Sequence, residues 1–543
     1  MAVSGPHAAR RRSLVYPLLL LGGTALVVFL GLYYVDWRLA HQVRNPIALL
    51  LTFDVDTLEN ALGNMAQVVA AVLGIVITVV SIVVQLAATR YTPRIADMFF
   101  RDRTNLGVLA FFVVACIDTI WVSVSVEKAF IPRMSIVFMM CLVTASLLLM
   151  VPYFAYVFDF LDPDRVVGRI QREAAASATD ERLATTEDMA LRQERALGGI
   201  EALSDIIVNA VSQKDKAIAA GAVDAIKDLV VTYVGKKARV PAEWFAIGAH
   251  LRRNPDFVSL AHSSVDDLAF KRVWLEWKAL RQYQSIYNDS LGEMPDINHL
   301  VAIDTRYIGE AALLAGDAEA LGLAVKFFNT YLRTTLNKQE VRTAYNVFNQ
   351  YRLLAERAID AGQIALVGEV AFYFKYYGQI AHGMDLGFLT ETVAYDIAAL
   401  CEHAFAQKSP AHDRVLKVLL ELDKEAESQS QEKMLRGVRK AQAKLASFYL
   451  GAKAEAPARR IFEDMRDERP ERLRSIRDEL LRIEAKDFWE VIDRGTNFDY
   501  IDAARKEQLK IFFSWFPSLA PPAGDTDKSG AGGPGGGDKA VSA

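Results

Sequence analysis

Four long apolar runs fall within the first 158 residues of this 543-residue chain, and a polar stretch with helical periodicity follows. Leu14 to Val35 is 22 residues without a charge, and Ala61 to Thr89 is 29. Leu106 to Val126 is 21 residues with one carboxylate, Asp118, and Met134 to Phe158 is 25 without a charge. A bilayer core is spanned by about 20 apolar residues in helical form. Lipid satisfies no backbone polar groups, so each run reads as a transmembrane helix. Arg10, Arg11 and Arg12 before the first run also suit a cleaved signal peptide. Its apolar core is too long for one, however, and the exit through Asp36, Trp37 and Arg38 lacks a small-residue cleavage site.

Basic residues in the short flanks set the orientation. Arg10, Arg11, Arg12, Arg90, Arg94, Arg101, Arg103, Arg165, Arg169 and Arg172 lie on one side, against Arg38, Arg44, Lys128 and Arg133 on the other. Ten against four predicts both termini in the cytoplasm, and Tyr33, Tyr34 and Trp37 at an aromatic belt. The net charge of -4 gives no electrostatic pull toward nucleic acid. Cys116, Cys141 and Cys401 form neither a disulfide framework nor a zinc pattern.

From Asp162 to about Pro517 apolar residues recur at helical spacing, as in Ile200, Leu203, Ile207 and Val211, or Leu321, Val325, Phe328 and Leu332. Strand patterns are almost absent. Prolines 241, 255, 295, 410 and 470 mark breaks. Ala315-Gly316-Asp317 opens a segment containing Phe327, Phe328 and Tyr331. Forty-six residues later Ala361-Gly362-Gln363 opens another, with Tyr373, Phe374 and Tyr377 in matching places. Stacked helical hairpins require such a pattern, since each buries its face against the next.

The predicted fold class is therefore all-α. It comprises a four-helix transmembrane domain in residues 1–160, with helices at about 14–35, 61–89, 106–126 and 134–158, and a helical connector at 161–189. A helical cytoplasmic domain at 190–517 reads as a tetratricopeptide-like α-solenoid or a non-repetitive bundle. The Gly, Pro and Ser-rich stretch at 518–543 is expected to be disordered.

Three features stand out as candidate sites. Gln67, Ala71, Gly74, Thr78, Ser81 and Gln85 share one face of the second membrane helix. Such a stripe either packs helices together or lines a wet path. Asp118 is costly near mid-membrane unless paired or hydrated, with Gln85 or Thr78 as candidate partners. The third is Arg90-Tyr91-Thr92-Pro93-Arg94 with Arg101, Asp102 and Arg103. These arginines suit anionic lipid headgroups, a phosphate-bearing ligand, or docking of the soluble domain.

No catalytic constellation is present in the sequence, and no metal or cofactor is implied. The eight histidines make no metal-ligand spacing on one helix, and Gly235-Lys236-Lys237 lacks the rest of a P-loop. The acidic run Glu421 to Glu427 reads as a solvated face. The aromatic segment Trp489 to Trp515 reads as core, or as an interaction groove.

The segment from Gly74 to Asp102 resembles a bacterial family of integral membrane proteins of unknown function. That family carries Ser and Gln late in a membrane helix, then a Ser/Thr-Pro-Arg turn and a short Arg/Asp segment; Ser81, Gln85, Thr92, Pro93, Arg94 and Asp102 match. Gly198 to Ala210 is similar to the helix that follows the membrane domain there. The family's Ser-Pro and Asp-Pro turn is replaced here by Ser212-Gln213-Lys214-Asp215, so a role tied to that turn does not carry over. The resemblance spans roughly residues 10–230, implies a four-helix inner-membrane protein, and supplies no activity.

Two function classes fit these observations. One is a non-enzymatic, membrane-anchored interaction or sensing scaffold that binds a cytoplasmic protein partner. The other is an oligomeric ion channel or transporter with the stripe lining its path. Either way the bilayer is a partner, a homo-oligomer is expected and nucleic acid is not.

Overall fold

The computed structural model describes residues 55–127, 131–183, 185–422, 429–487, 493–495 and 497–519, with isolated positions 27, 31, 34 and 38. Most of the first apolar run, the loop after it, the acidic run from 423, Trp489 and the tail from 520 lie outside the described residues. Among the described residues the regular elements are helices, with no strand. The chain is all-α, and it divides into two compact units, Met1–Asp304 and Thr305–Ala543.

The first unit begins with α1 (Val55–Arg90), α2 (Arg94–Phe100), α3 (Arg103–Val124) and α4 (Arg133–Phe160). Helices α1, α3 and α4 are long and apolar enough to cross a membrane. Their shared core holds Leu58, Leu62 and Val69, then Ala115, Val122, Val126, Ile136, Met139 and Val143. Large apolar side chains also point away from this core, among them Ile82, Val114, Trp121 and Phe138. Hydroxyls on these helices satisfy themselves locally: Thr119 Oγ1 donates to the Ala115 carbonyl at 2.6 Å and Ser146 Oγ to that of Leu142 at 2.8 Å.

Helices α5 (Pro163–Ala178), α6 (Thr186–Ser212), α7 (Lys216–Lys236) and α8 (Trp274–Ser290) follow in the same unit. Asp162 caps α5 with Pro163 in its first turn, where a missing N–H costs nothing. Ile200, Leu203, Ile207 and Val211 are all buried along α6, as their spacing requires.

The second unit is a two-layer helical array. It contains α9 (Pro295–Leu314, which begins in the first unit), α10 (Ala318–Asn337), α11 (Val341–Asp360), α12 (Ile364–Gly383), α13 (Gly387–Ala406) and α14 (His412–Leu420). Then come α15 (Gln429–Gly451), α16 (Glu455–Met465), α17 (Pro470–Arg482) and α18 (Ala503–Ser514). Helices α10, α12 and α14 pack side by side as one layer, and α11, α13 and α15 as the other. The turns between them carry residues with positive φ at 316, 339, 362, 385 and 408, each 23 residues after the last. Each turn closes the same way: Gly316 N–H donates to Leu313 and Asp317 N–H to Ala312, Gln339 to Leu336 and Glu340 to Thr335, and so on to Ser409 and Ala404. This is the left-handed helix stop that leaves few carbonyls unsatisfied. The aromatic residues anticipated from the repeated Ala-Gly turn interlock across it. Phe328 stacks on Tyr351 at 4.8 Å, and Phe374 meets Tyr351 and Phe348 edge-on at 5.2 and 5.4 Å.

Candidate functional site

The turn between α1 and α3 is the densest polar junction of the first unit. Pro93 ends the geometry of α1 and seeds α2, whose Ile95 and Phe99 are buried. Asp102 then caps α3, accepting from the backbone N–H of Thr104 at 2.9 Å and Asn105 at 3.1 Å. The Tyr156 hydroxyl of α4 donates to the same carboxylate. Burial opposes ionisation of Asp102, but the Tyr156 hydroxyl, those two N–H groups and the nearby Arg169 outweigh it and hold the carboxyl below its ordinary range.

Beside it, buried Asn105 donates to the Phe99 carbonyl at 3.1 Å and accepts from the Tyr153 hydroxyl at 2.6 Å. Phe99 meets Phe160 edge-on at 5.2 Å, and the Arg169 guanidinium of α5 lies 3.7 Å from the Phe160 ring centroid. Burial lowers the Arg169 pKa, against the pull of Tyr156 and Asp102. The turn thus joins three membrane-length helices to the first polar helix.

The four arginines divide into two pairs. Arg90 reaches Asp215 at 3.2 Å, and Asp215 also caps α7 through the Ile218 N–H. Next to it, the Asn209 side chain of α6 donates to the Tyr91 carbonyl at 2.8 Å. Arg94 lies over α6 at Gly198, where an added Cβ would meet its guanidinium at 2.6 Å. At Gly199 a Cβ would lie 2.4 Å from that of Ala174, so the glycine pair lets α6 approach both the turn and α5. Arg101 and Arg103 point outward and make no ion pair among the described residues. Arg90 and Arg94 dock helices, whereas Arg101 and Arg103 remain open to headgroups or other anions.

The α1 stripe lies elsewhere. Gln67, Ala71, Gly74, Thr78, Ser81 and Gln85 are all exposed, on the side opposite the buried Val69, Val72, Val76, Val80 and Ala87. A Cβ at Gly74 would meet nothing within 4 Å. Asp118 on α3 is half-buried, its Oδ2 is enclosed without a hydrogen-bond partner, and no bond joins it to Gln85 or Thr78 among the described residues. The stripe, Asp118 and the arginine turn are therefore three separate places.

Sequence reasoning did not single out Asn105, Tyr153, Tyr156, Asn209 or Asp215. The signal available was weak: two tyrosines three apart at the end of one membrane run share a helix face, and an asparagine stands at the start of another run.

The chain is similar in structure to a solved "Circular tandem repeat protein with novel repeat topology and enhanced subunit contact surfaces", at 16% identity and a TM-score of 0.29, over 62% of this chain and 81% of that one. No curated protein matches the chain. Residues 10–234 match the family model described as "Predicted membrane protein (DUF2254)", a membrane family of unknown function, in agreement with the resemblance carried by the Thr-Pro-Arg turn.

Proposed function

We propose that the protein is a non-enzymatic, membrane-anchored scaffold of the bacterial inner membrane, with both termini cytoplasmic, whose helical array recruits protein partners. The observation that carries this reading is the regular array built on turns at 316, 339, 362, 385 and 408. Stacked hairpins of this kind present long continuous faces, and those faces suit binding of other chains. The excess of arginine on one side of the membrane runs supports the orientation. The docked turn supports a sensing element: Arg90, Tyr91 and Arg94 are tied to Asp215, Asn209 and Gly198, so a tilt of α1 is passed to α6 and not absorbed in a slack loop.

The test is photo-crosslinking in cells from positions within residues 305–519, compared with a chain lacking that unit. Partners lost with the unit fit the scaffold. Retention of every partner by the truncated chain sinks it.

A second reading, an oligomer that conducts ions along α1, is favoured by the outward-facing stripe. Glutamines at positions 67 and 85 facing hydrocarbon would each leave amide groups unsatisfied. A neighbouring copy or a water column would satisfy them. Gly74→Leu should then lower the oligomer size in detergent, and an unchanged size counts against a shared stripe.

A further inference from the structure

Among the described residues of the second unit is a non-helical segment that its array grips by charge. Residues 493–495 and 497–502 lie against the layer formed by α11, α13 and α15. Asp493 receives Arg342 through two bonds of 3.1 Å and the Asn346 amide at 2.8 Å. Arg494 forks onto Asp396 of α13 at 2.6 and 3.2 Å, donates to the Tyr345 carbonyl, and lies 4.0 Å over the Tyr345 ring. Phe498 stacks on Tyr395 at 4.9 Å, and its carbonyl accepts from Lys444 of α15 at 2.6 Å. Asp499 accepts from the Tyr395 hydroxyl and from Lys440 at 2.9 Å.

These contacts have the form of a bound peptide. An acid, an arginine, an aromatic ring and a second acid each find a complementary group on successive helices of one layer. The grip is mostly ionic, and paired charges specify register more than they add stability, because desolvation cancels much of their attraction. The fit is also incomplete: Asn346, 5% exposed and already holding Asp493, keeps its carbonyl oxygen enclosed without a partner.

We propose that the α11–α13–α15 face is a peptide-binding groove, occupied by the chain's own 493–502 segment, for a partner segment with arginine, aromatic and acidic side chains at the Arg494, Phe498 and Asp499 spacing. This names the partner chemistry for the scaffold reading and rests on it. Because the internal segment is tethered, it competes at an effective concentration on the order of millimolar. A partner must therefore bind tightly or meet a weakened tether contact.

The test uses the full-length protein in detergent and a fluorescein-labelled synthetic peptide of residues 490–502. Phe498→Ala should loosen the internal segment and tighten peptide binding about tenfold relative to wild type. Adding Asp396→Asn, which removes the arginine's partner, should abolish that gain. Equal binding by wild type and a folded Phe498→Ala protein overturns the proposal. Hydrogen exchange on the unmodified protein covers the case in which the variant misfolds. Amides of 493–502 should exchange faster than those of α13, and excess peptide should speed them further. Exchange of the segment only together with α13 overturns the proposal. Tighter binding seen only as a dimer dissociates assigns the groove to a second copy and overturns the partner reading. A negative peptide result combined with partner loss on deleting residues 305–519 sinks the groove alone and leaves the scaffold.

Discussion

Helix α1 of the first unit and the helical layer of the second place their polar side chains on opposite sides of their apolar packing. On α1 of the first unit the buried face is all apolar, Val69, Val72, Val76 and Val80, while Gln67, Ser81 and Gln85 look outward. In the second unit the charges go inward: the side chains of Arg494 and Asp396 are 5% and 2% exposed, and Lys440 is 7% exposed. In water an outward glutamine needs no explanation and a buried charge does. Against hydrocarbon the outward glutamine becomes the anomaly. Helix α1 and the α11–α13–α15 layer thus each display the anomaly proper to their surroundings.

The inward charges should give the largest effect. Among the described residues, Arg494→Ala leaves Asp396 buried with Arg352, 3.2 Å away, as its remaining ion-pair partner. Loss of one partner from a buried pair costs about 3–5 kcal/mol, and Arg352 should bring the effect toward the lower end. Replacing both partners, Arg494→Met with Asp396→Leu, should restore most of that stability in chemical denaturation. A double variant as damaged as the single one would mean that the groove, and not the pair, holds the unit together.

Buried charge has a counterpart at the end of the first unit. Asp304, whose side chain is 1% exposed, accepts from the Tyr283 hydroxyl at 3.2 Å, with Lys227 at 3.9 Å. Burial raises its pKa to about 7, although Lys227 pulls it down. Between the ordinary carboxylate range and that value the folded chain holds a proton that the unfolded chain has lost. Stability from this group should therefore fall as pH rises from about 4 to about 7 and then level off. Denaturation midpoints at about pH 5 and about pH 8 should differ less in Asp304→Asn than in wild type. An unchanged difference assigns the slope to other groups.

The docked turn sharpens the comparison at its apolar edge. Gly199→Ala places a methyl 2.4 Å from the Ala174 Cβ and should destabilise the first unit by about 1–3 kcal/mol. Gly198→Ala should cost less, because it meets only the mobile end of Arg94. The reverse order would remove the tight α5–α6 approach as the reason for the glycine pair.

The smallest effect concerns the repeat turns. Gln339 sits at φ 56 where Gly316 and Gly362 serve neighbouring turns at φ 70 and 73. A side chain in that region costs about 1 kcal/mol, so Gln339→Gly should stabilise the array by up to about that amount, and Gly316→Ala should do the reverse. A thermal midpoint that moves the other way would show that the Gln339 side chain contributes contacts of its own.

Those turns also explain how much of the fold was legible. Apolar runs of bilayer length announce themselves one residue at a time, so the three described membrane helices fall where the sequence places them. The repeat was half legible. Its 46-residue period shows through Gly316 and Gly362, but the stops at Gln339 and Lys408 use residues that carry no turn signal by type, and Asp385 carries a weaker one than glycine. The site was legible on one side only. Arg90, Arg94 and Asp102 belong to a local motif, whereas their partners Asp215, Gly198 and Tyr156 lie far along the chain, and long-range pairing leaves no periodic trace. The aromatic stretch around Phe498 suggested core or groove, and the Phe498 ring packs against those of Tyr345 and Tyr395.

The most direct test of the scaffold is ion flux through the purified protein in liposomes, for wild type and Gln85→Leu, with oligomer size measured on both. A scaffold should pass no ions in either form under several salts and tensions. Wild-type flux that disappears in Gln85→Leu while the oligomer persists would contradict it and assign the α1 stripe to a pore.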